Sequence, residues 1–275
     1  MEAGQKPNPT EEALEHVPGA ERSARIDAWW WLLILVIGAA ILLITTMPDP
    51  YLNILQFVSD GLGVTVLVTA VSFILVLIIG MIGGLGRLAK NRIIYFISTL
   101  YVEIVRGIPL LVQLIWWYFA FPVVIQQLGI LLKIQALADF QANPIAMAIL
   151  GLVFCYGAYM SEIYRAGIQS IPKGQMEAAR SLGMSYFQAM RHIILPQAIR
   201  VVLPPMGNEF IALLKDSSLV SVVAVADMTR RGREFMSTHF NPIEVWTLVA
   251  LLYLVLTLFS ARMVTWIEKK SRIER

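Results

Sequence analysis

The chain has 275 residues, 57% of them hydrophobic and only 15% charged, with a mean hydropathy of +0.68; soluble domains run at about 45–50% apolar and about 25% charged. That excludes a disordered chain, a collagen-like repeat and an ordinary soluble enzyme. The net charge of +3 is too small for a polybasic nucleic-acid binder, the single Cys155 rules out an intrachain disulfide, and His16, His192 and His239 are too scattered for a metal site.

In chain order, residues 1–28 are polar and rich in Glu and Pro, which predicts a disordered cytoplasmic tail. An acidic leader with no small-residue cleavage site fits a signal peptide poorly, so the first apolar run is expected to stay in place. A bilayer core needs roughly 20 apolar residues per helix, because the backbone can bond only within the segment. Uncharged runs of that kind fall at 29–47, 61–86, 107–132, 140–161 and 245–261. A sixth apolar stretch, 201–226, is long enough to cross but carries Glu209, Lys215 and Asp216. The expected fold is therefore an all-α integral membrane protein with six transmembrane helices.

Lys and Arg are retained on the cytoplasmic side of short loops. Arg22 and Arg25 place the N-terminus inside, the loop 48–60 with Asp49 and Asp60 outside, and the boundary with Arg87, Lys90, Arg92 and Arg106 inside again. The basic segment 165–200 and the tail 268–275 are likewise inside. Arg230, Arg231 and Arg233 fall in a loop this topology places outside, against the rule. Trp29, Trp30, Trp31, Trp116, Trp117 and Trp266 read as interfacial anchors, and Gly80, Gly83 and Gly84 as sites of close helix packing. Gly107-Ile108-Pro109 predicts a break or kink in the helix there, a boundary more often than a hinge. Glu103 with Arg106, and Glu162 with Arg165, stand three apart and predict intrahelical pairs, structural or at a cytoplasmic gate.

The loop 165–200 reads as two short helices. Pro172 suits a first turn, Gly183 a left-handed helix end, and Ser185 with Gln188 a capping box before a second helix that Pro196 stops. Glu177 alone would serve as a helix-dipole residue. In the fifth stretch, a spacing of seven is close to two helical turns, so Glu209 lies over Asp216 and Asn208 over Lys215, with Ser217 and Ser218 extending the polar region. Charges there face a bundle interior or a wet cavity. Mutual neutralisation and a solute path are both open; on the second reading Lys215 suits a solute carboxylate, and Asp216 or Glu209 an ammonium.

The spacing Glu177-Ala178-Ala179, Gly183, Ile193, Leu195-Pro196 resembles the EAA loop of ATP-binding-cassette importer permeases. Tyr101-Val102-Glu103-Ile104-Val105-Arg106-Gly107-Ile108-Pro109-Leu110-Leu111, Gly157-Ala158-Tyr159, Glu162, Arg165-Ala166-Gly167, Ile171-Pro172-Lys173-Gly174-Gln175 and Leu213-Leu214-Lys215-Asp216-Ser217-Ser218-Leu219 are similar to the polar amino-acid uptake branch. The resemblance covers roughly residues 60–265. It implies a five-span permease domain, taken as 61–267, with 29–47 as an added helix. It further implies a coupling loop that docks on a separate ATPase, two such ATPase subunits using ATP and Mg, a second permease subunit in a homodimer or heterodimer, and an extracytoplasmic amino-acid-binding protein. The site would be the bacterial cytoplasmic membrane. No Gly-x-x-x-x-Gly-Lys-Ser/Thr occurs, so the chain is not expected to bind ATP or another cofactor itself.

Two other classes compete. An ion-coupled secondary carrier would use the charged fifth span as its coupling site, but leaves the EAA spacing without a role. A membrane hydrolase needs a nucleophile with a base, or clustered metal ligands, inside the spans. Here the serines are scattered and the spans contain no histidine.

Overall fold

The computed structural model describes residues 28–271, which are helical with short connections; no strand occurs among the described residues. The expected N-terminal tail, but for its last residue, and the chain from 272 onward lie outside them. Helix α1 spans Ala28–Thr46, α2 Pro48–Gly86, α3 Arg92–Gly107 and α4 Leu110–Leu132. After the single turn α5, Gln135–Ala138, come α6 Pro144–Gln169, α7 Lys173–Ser181, α8 Tyr186–Ala189, α9 Leu195–Asp216, α10 Met228–His239 and α11 Pro242–Ser271. Five helices among the described residues, α1, α2, α4, α6 and α11, are long and apolar enough to cross a membrane. Their outer faces stay apolar, with Ile74, Ile82 and Leu131 each at least 60% exposed, a surface stable against hydrocarbon and not against water.

Local chemistry sets the boundaries. Asn91 opens α3 by accepting from the Ile93 and Ile94 N–H groups at 2.9 and 3.3 Å, and Asn143 opens α6 by accepting from Ala146 N at 3.0 Å. The expected break at Gly107-Ile108-Pro109 is present: Ile108 is extended, and α4 begins after Pro109. The π-helical turn Trp116–Ala120 lies inside α4, so Trp116 and Trp117 sit within the helix instead of at its end. Trp117 packs on Phe154 and Phe121, with ring centroids 5.2 and 4.8 Å away.

Three sequence expectations change. Residues 48–60 are not a loop but the first turns of α2, because Tyr51, Ile54 and Val58 form a helical stripe buried against Met228, Phe235, Val245 and Leu248 of α10 and α11. Asp60, which interrupts the uncharged run, is matched by Arg231 at 2.6 Å. The stretch 201–226 is not one helix. It starts upstream at Leu195 and ends at Asp216, followed by a 3-10 helix over Ser217–Val223 that the left-handed Ala224 (φ 62°) closes. Pro196 does not stop the second helix of the 165–200 segment. The π turn Met190–Ile194 lets Leu195 N bond Met190 O, five residues back, and Pro196 enters the next helix at its first turn, where no N–H is needed.

The core sits along α2 and α6. Val68, Val76, Leu152, Tyr156 and Met160 pack with Leu114 of α4, Leu213 of α9 and Val220 and Val223 of the 3-10 helix. The two long helices approach closely where a Cβ on Gly83 or Gly84 would strike Ser161 or Tyr164, as the small-residue pattern predicts. Two of the buried hydroxyls bond within their own helices: Thr69 donates to Thr65 O at 2.7 Å and Ser161 to Gly157 O at 2.7 Å.

Candidate functional site: a charged cavity and a helical loop

A cavity of 460 Å³ opens where the end of α3, the start of α4, the middle of α6 and the second half of α9 meet. Arg106 enters from α3, Tyr156 and Tyr159 from α6, and Glu209 and Asp216 from α9; Cys155 and the Gly107–Leu110 elbow complete the wall. The two-turn spacing of Glu209 and Asp216 puts both carboxylates on this face, as expected. Asp216 accepts from the Tyr156 hydroxyl at 2.7 Å, and the Arg106 guanidinium lies over the Tyr159 ring, 5.1 Å from its centroid. Glu209 makes no hydrogen bond or ion pair within 4 Å among the described residues, so an acceptor is left facing the space.

The other residues expected on the path separate from it. Asn208 and Lys215 are exposed on a neighbouring face of α9 and do not line the cavity. Ser217 is buried with its hydroxyl donating to Leu214 O at 2.8 Å, and Ser218 is half-buried in the 3-10 helix. The positive group opposite the carboxylates is thus Arg106. Sequence spacing paired it with Glu103, but Glu103 lies 3.5 Å from Arg87 instead. The Glu162–Arg165 pair is present, with Arg165 Nε donating at 3.0 Å, and Glu162 also meets Arg87 at 2.5 Å. This network ties the end of α2 to α3 and α6 beside the cavity. Tyr156 and Cys155 were not legible as site residues. The signal available was Tyr156 and Tyr159 one turn apart on a helix whose other face is small and apolar.

Within 165–200, Gly183 and the capping box stand where the spacing puts them, while the second short helix runs on through the π turn into α9. Gly183 has φ +82° at the end of α7, open space lies around it, and the Ser185–Gln188 capping box is complete at 3.2 and 2.8 Å. Ala179 is buried under α8 and the π turn, while Glu177, Ala178, Leu195 and Pro196 are exposed and Ile193 half-buried. Leu182, Tyr186 and Phe187 project outward at 85%, 59% and 70% exposure.

At the opposite end of α2, Asp227 is fully buried and caps α10, accepting from Thr229 N, Arg230 N and the Tyr253 hydroxyl. Burial pushes its carboxyl above the usual range, against the hydrogen bonds it accepts. Arg230 bonds Glu234 at 2.9 Å, Arg231 bridges Glu234 and Asp60, and Arg233 reaches the Ser221 hydroxyl at 3.4 Å. Hydrogen bonds from Arg230 and Arg231 hold the Glu234 carboxyl below the usual range.

Residues 77–273 match the family described as "Binding-protein-dependent transport system inner membrane component". The chain is 35% identical over 197 residues to the glutamine transport system permease protein GlnP of Escherichia coli K12, covering 72% of this chain and 84% of that one. It is 39% identical over 211 residues to the probable glutamine ABC transporter permease protein GlnM of Bacillus subtilis, covering 77% and 91%. A solved amino acid ABC transporter determined with histidines superposes with a TM-score of 0.69 at 34% identity, over 78% of this chain and 94% of that chain.

Proposed function

The chain belongs to the family of binding-protein-dependent transport system inner membrane components and is a multi-pass permease of the amino-acid ABC type; from that premise we propose that it moves polar amino acids inward by alternating access around the α3–α6–α9 cavity. The observation that carries the reading is the charge arrangement there, with Arg106 facing Glu209 and Asp216 in one 460 Å³ space. An α-amino acid bears a carboxylate and an ammonium. A guanidinium takes the first through two parallel hydrogen bonds, and the unpaired Glu209 carboxylate takes the second. Several weak contacts in place of one strong one let the solute leave again.

On this reading α9 is the sixth span, and its charges are tolerated because they face the cavity. Both termini are cytoplasmic, and the external arginines are tolerated because Arg230 and Arg231 are matched by Glu234 and Asp60. The α7–Gly183–α8 hairpin is the coupling element. Exposed Glu177 with Leu182, Tyr186 and Phe187 offers a charged and apolar surface to a separate ATPase, and Ala178 allows close approach. Two ATPase subunits using ATP and Mg, a second permease subunit, identical or not, and an extracytoplasmic amino-acid-binding protein complete the machine.

The test is co-purification with the ATPase subunit, comparing wild type with Glu177→Lys and Gly183→Pro, followed by substrate-stimulated ATP hydrolysis in the reconstituted complex. Proline cannot adopt φ +82°, so both variants are expected to lose the complex or its stimulation. Full assembly and full stimulation in both would overturn the coupling role.

A further inference from the structure

The break between α3 and α4 leaves carbonyls without their ordinary partners. Val105 C=O would bond the N–H four residues on, but that residue is Pro109, which has none. Ile108 N approaches it only at 3.3 Å. Inside a bilayer no water replaces the missing donor. Gln113, 7% exposed at the end of the first turn of α4, does: its Nε2 donates to Val105 O at 2.8 Å and to Ile108 O at 2.8 Å, using both amide hydrogens. The same nitrogen lies 3.5 Å from Cys155 Sγ. Gln113 therefore stands directly behind the elbow whose front, from Arg106 to Leu110, lines the cavity, and it touches none of that cavity's space.

We propose that Gln113 is a positioning residue for the solute site: it locks the α3–α4 elbow in the one curvature that aims Arg106 into the cavity. Arg106 follows Val105 directly, so any slackening at the Val105 and Ile108 carbonyls swings the guanidinium off its Tyr159 platform. This rests on the reading of the cavity as the amino-acid site. The role belongs to the amide donors and not to the bulk of the side chain, which separates it from simple packing.

The experiment uses the permease assembled with its ATPase subunits in proteoliposomes. Gln113→Met keeps length and apolar volume but removes both donors. Cys155 is the chain's single cysteine, so its rate of modification by N-ethylmaleimide, read on the Cys155 peptide by mass spectrometry, reports the elbow without reference to any solute. Gln113→Met is expected to speed that labelling several-fold and to raise the half-saturating concentration of a transported amino acid about tenfold, with maximal rate and basal ATP hydrolysis kept. Pro109→Ala, which supplies an N–H to the Val105 carbonyl, is expected to draw both values back toward wild type in the double variant. Should Gln113→Met fail to assemble, Gln113→Asn, one methylene too short to reach both carbonyls, carries the same expectation. Wild-type labelling and half-saturation in the variant would overturn this inference alone, whereas a wild-type complex that moves no amino acid would overturn the cavity reading beneath it.

Discussion

At the scale of single residues, Arg106 shows how a short-range reading goes astray. Its spacing from Glu103 is ideal for an intrahelical pair, yet Glu103 turns to Arg87, and Arg106 is left over Tyr159 facing Glu209 and Asp216. A pair on one exposed helix face is worth only about 0.2–0.5 kcal/mol, too little to hold a guanidinium against a half-enclosed space with two carboxylates. Arg106→Met is therefore expected to leave the fold intact and to raise the half-saturating solute concentration about tenfold or more, the loss of a charge-assisted hydrogen bond. Direct binding of the amino acid to the detergent-solubilised complex checks it, and unchanged affinity would remove Arg106 from the site. Glu209 and Asp216 were legible because their spacing is a helical period. Lys215 was not separable from them, since neighbours in sequence differ in face by only about 100° and the direction of the cavity is not a local property.

Among the elements, α10 depends most visibly on charge. Asp227 caps it, and Glu234 holds Arg230 and Arg231, the latter clamped to Asp60 of α2. The Glu234 carboxyl is depressed in the folded state, so its contribution is present above the ordinary glutamate value of about 4.3 and is lost as pH falls through the lower folded value. Amide exchange over residues 228–239 is expected to rise in that acid window in wild type, and Glu234→Gln to show the faster exchange already at neutral pH. Identical exchange in both would mean the ion pairs contribute nothing. The sequence placed the three arginines in a loop against the charge rule because a one-dimensional count cannot see Asp60, far away in the chain. For the same reason the first turns of α2 look like a loop in the sequence, although the stripe Tyr51, Ile54 and Val58 has helical spacing.

For the whole molecule, the buried fraction separates the permease body from α1. Among the described side chains of α1, Val36 is the one that is buried, whereas α6 is buried along most of its length between α2, α4 and α9. Removing residues 1–46 is expected to leave assembly and thermal unfolding of the complex close to those of the full chain, because among the described side chains of α1 Val36 alone is buried. A collapse of expression or a large drop in unfolding temperature would make α1 part of the core. The all-α membrane class, five of the candidate spans, the left-handed Gly183 with the Ser185–Gln188 capping box, and the family resemblance were determined by the sequence itself. Each depends on apolar run length, helical period or turn chemistry between near neighbours. What only the tertiary structure decided is which charges share a space: Arg106 with Glu209 and Asp216, Arg231 with Asp60, and Gln113 with the carbonyls that Pro109 leaves open. Those meetings are set by how the helices pack across the bundle, and no periodicity along the chain encodes the distance between side chains on different helices.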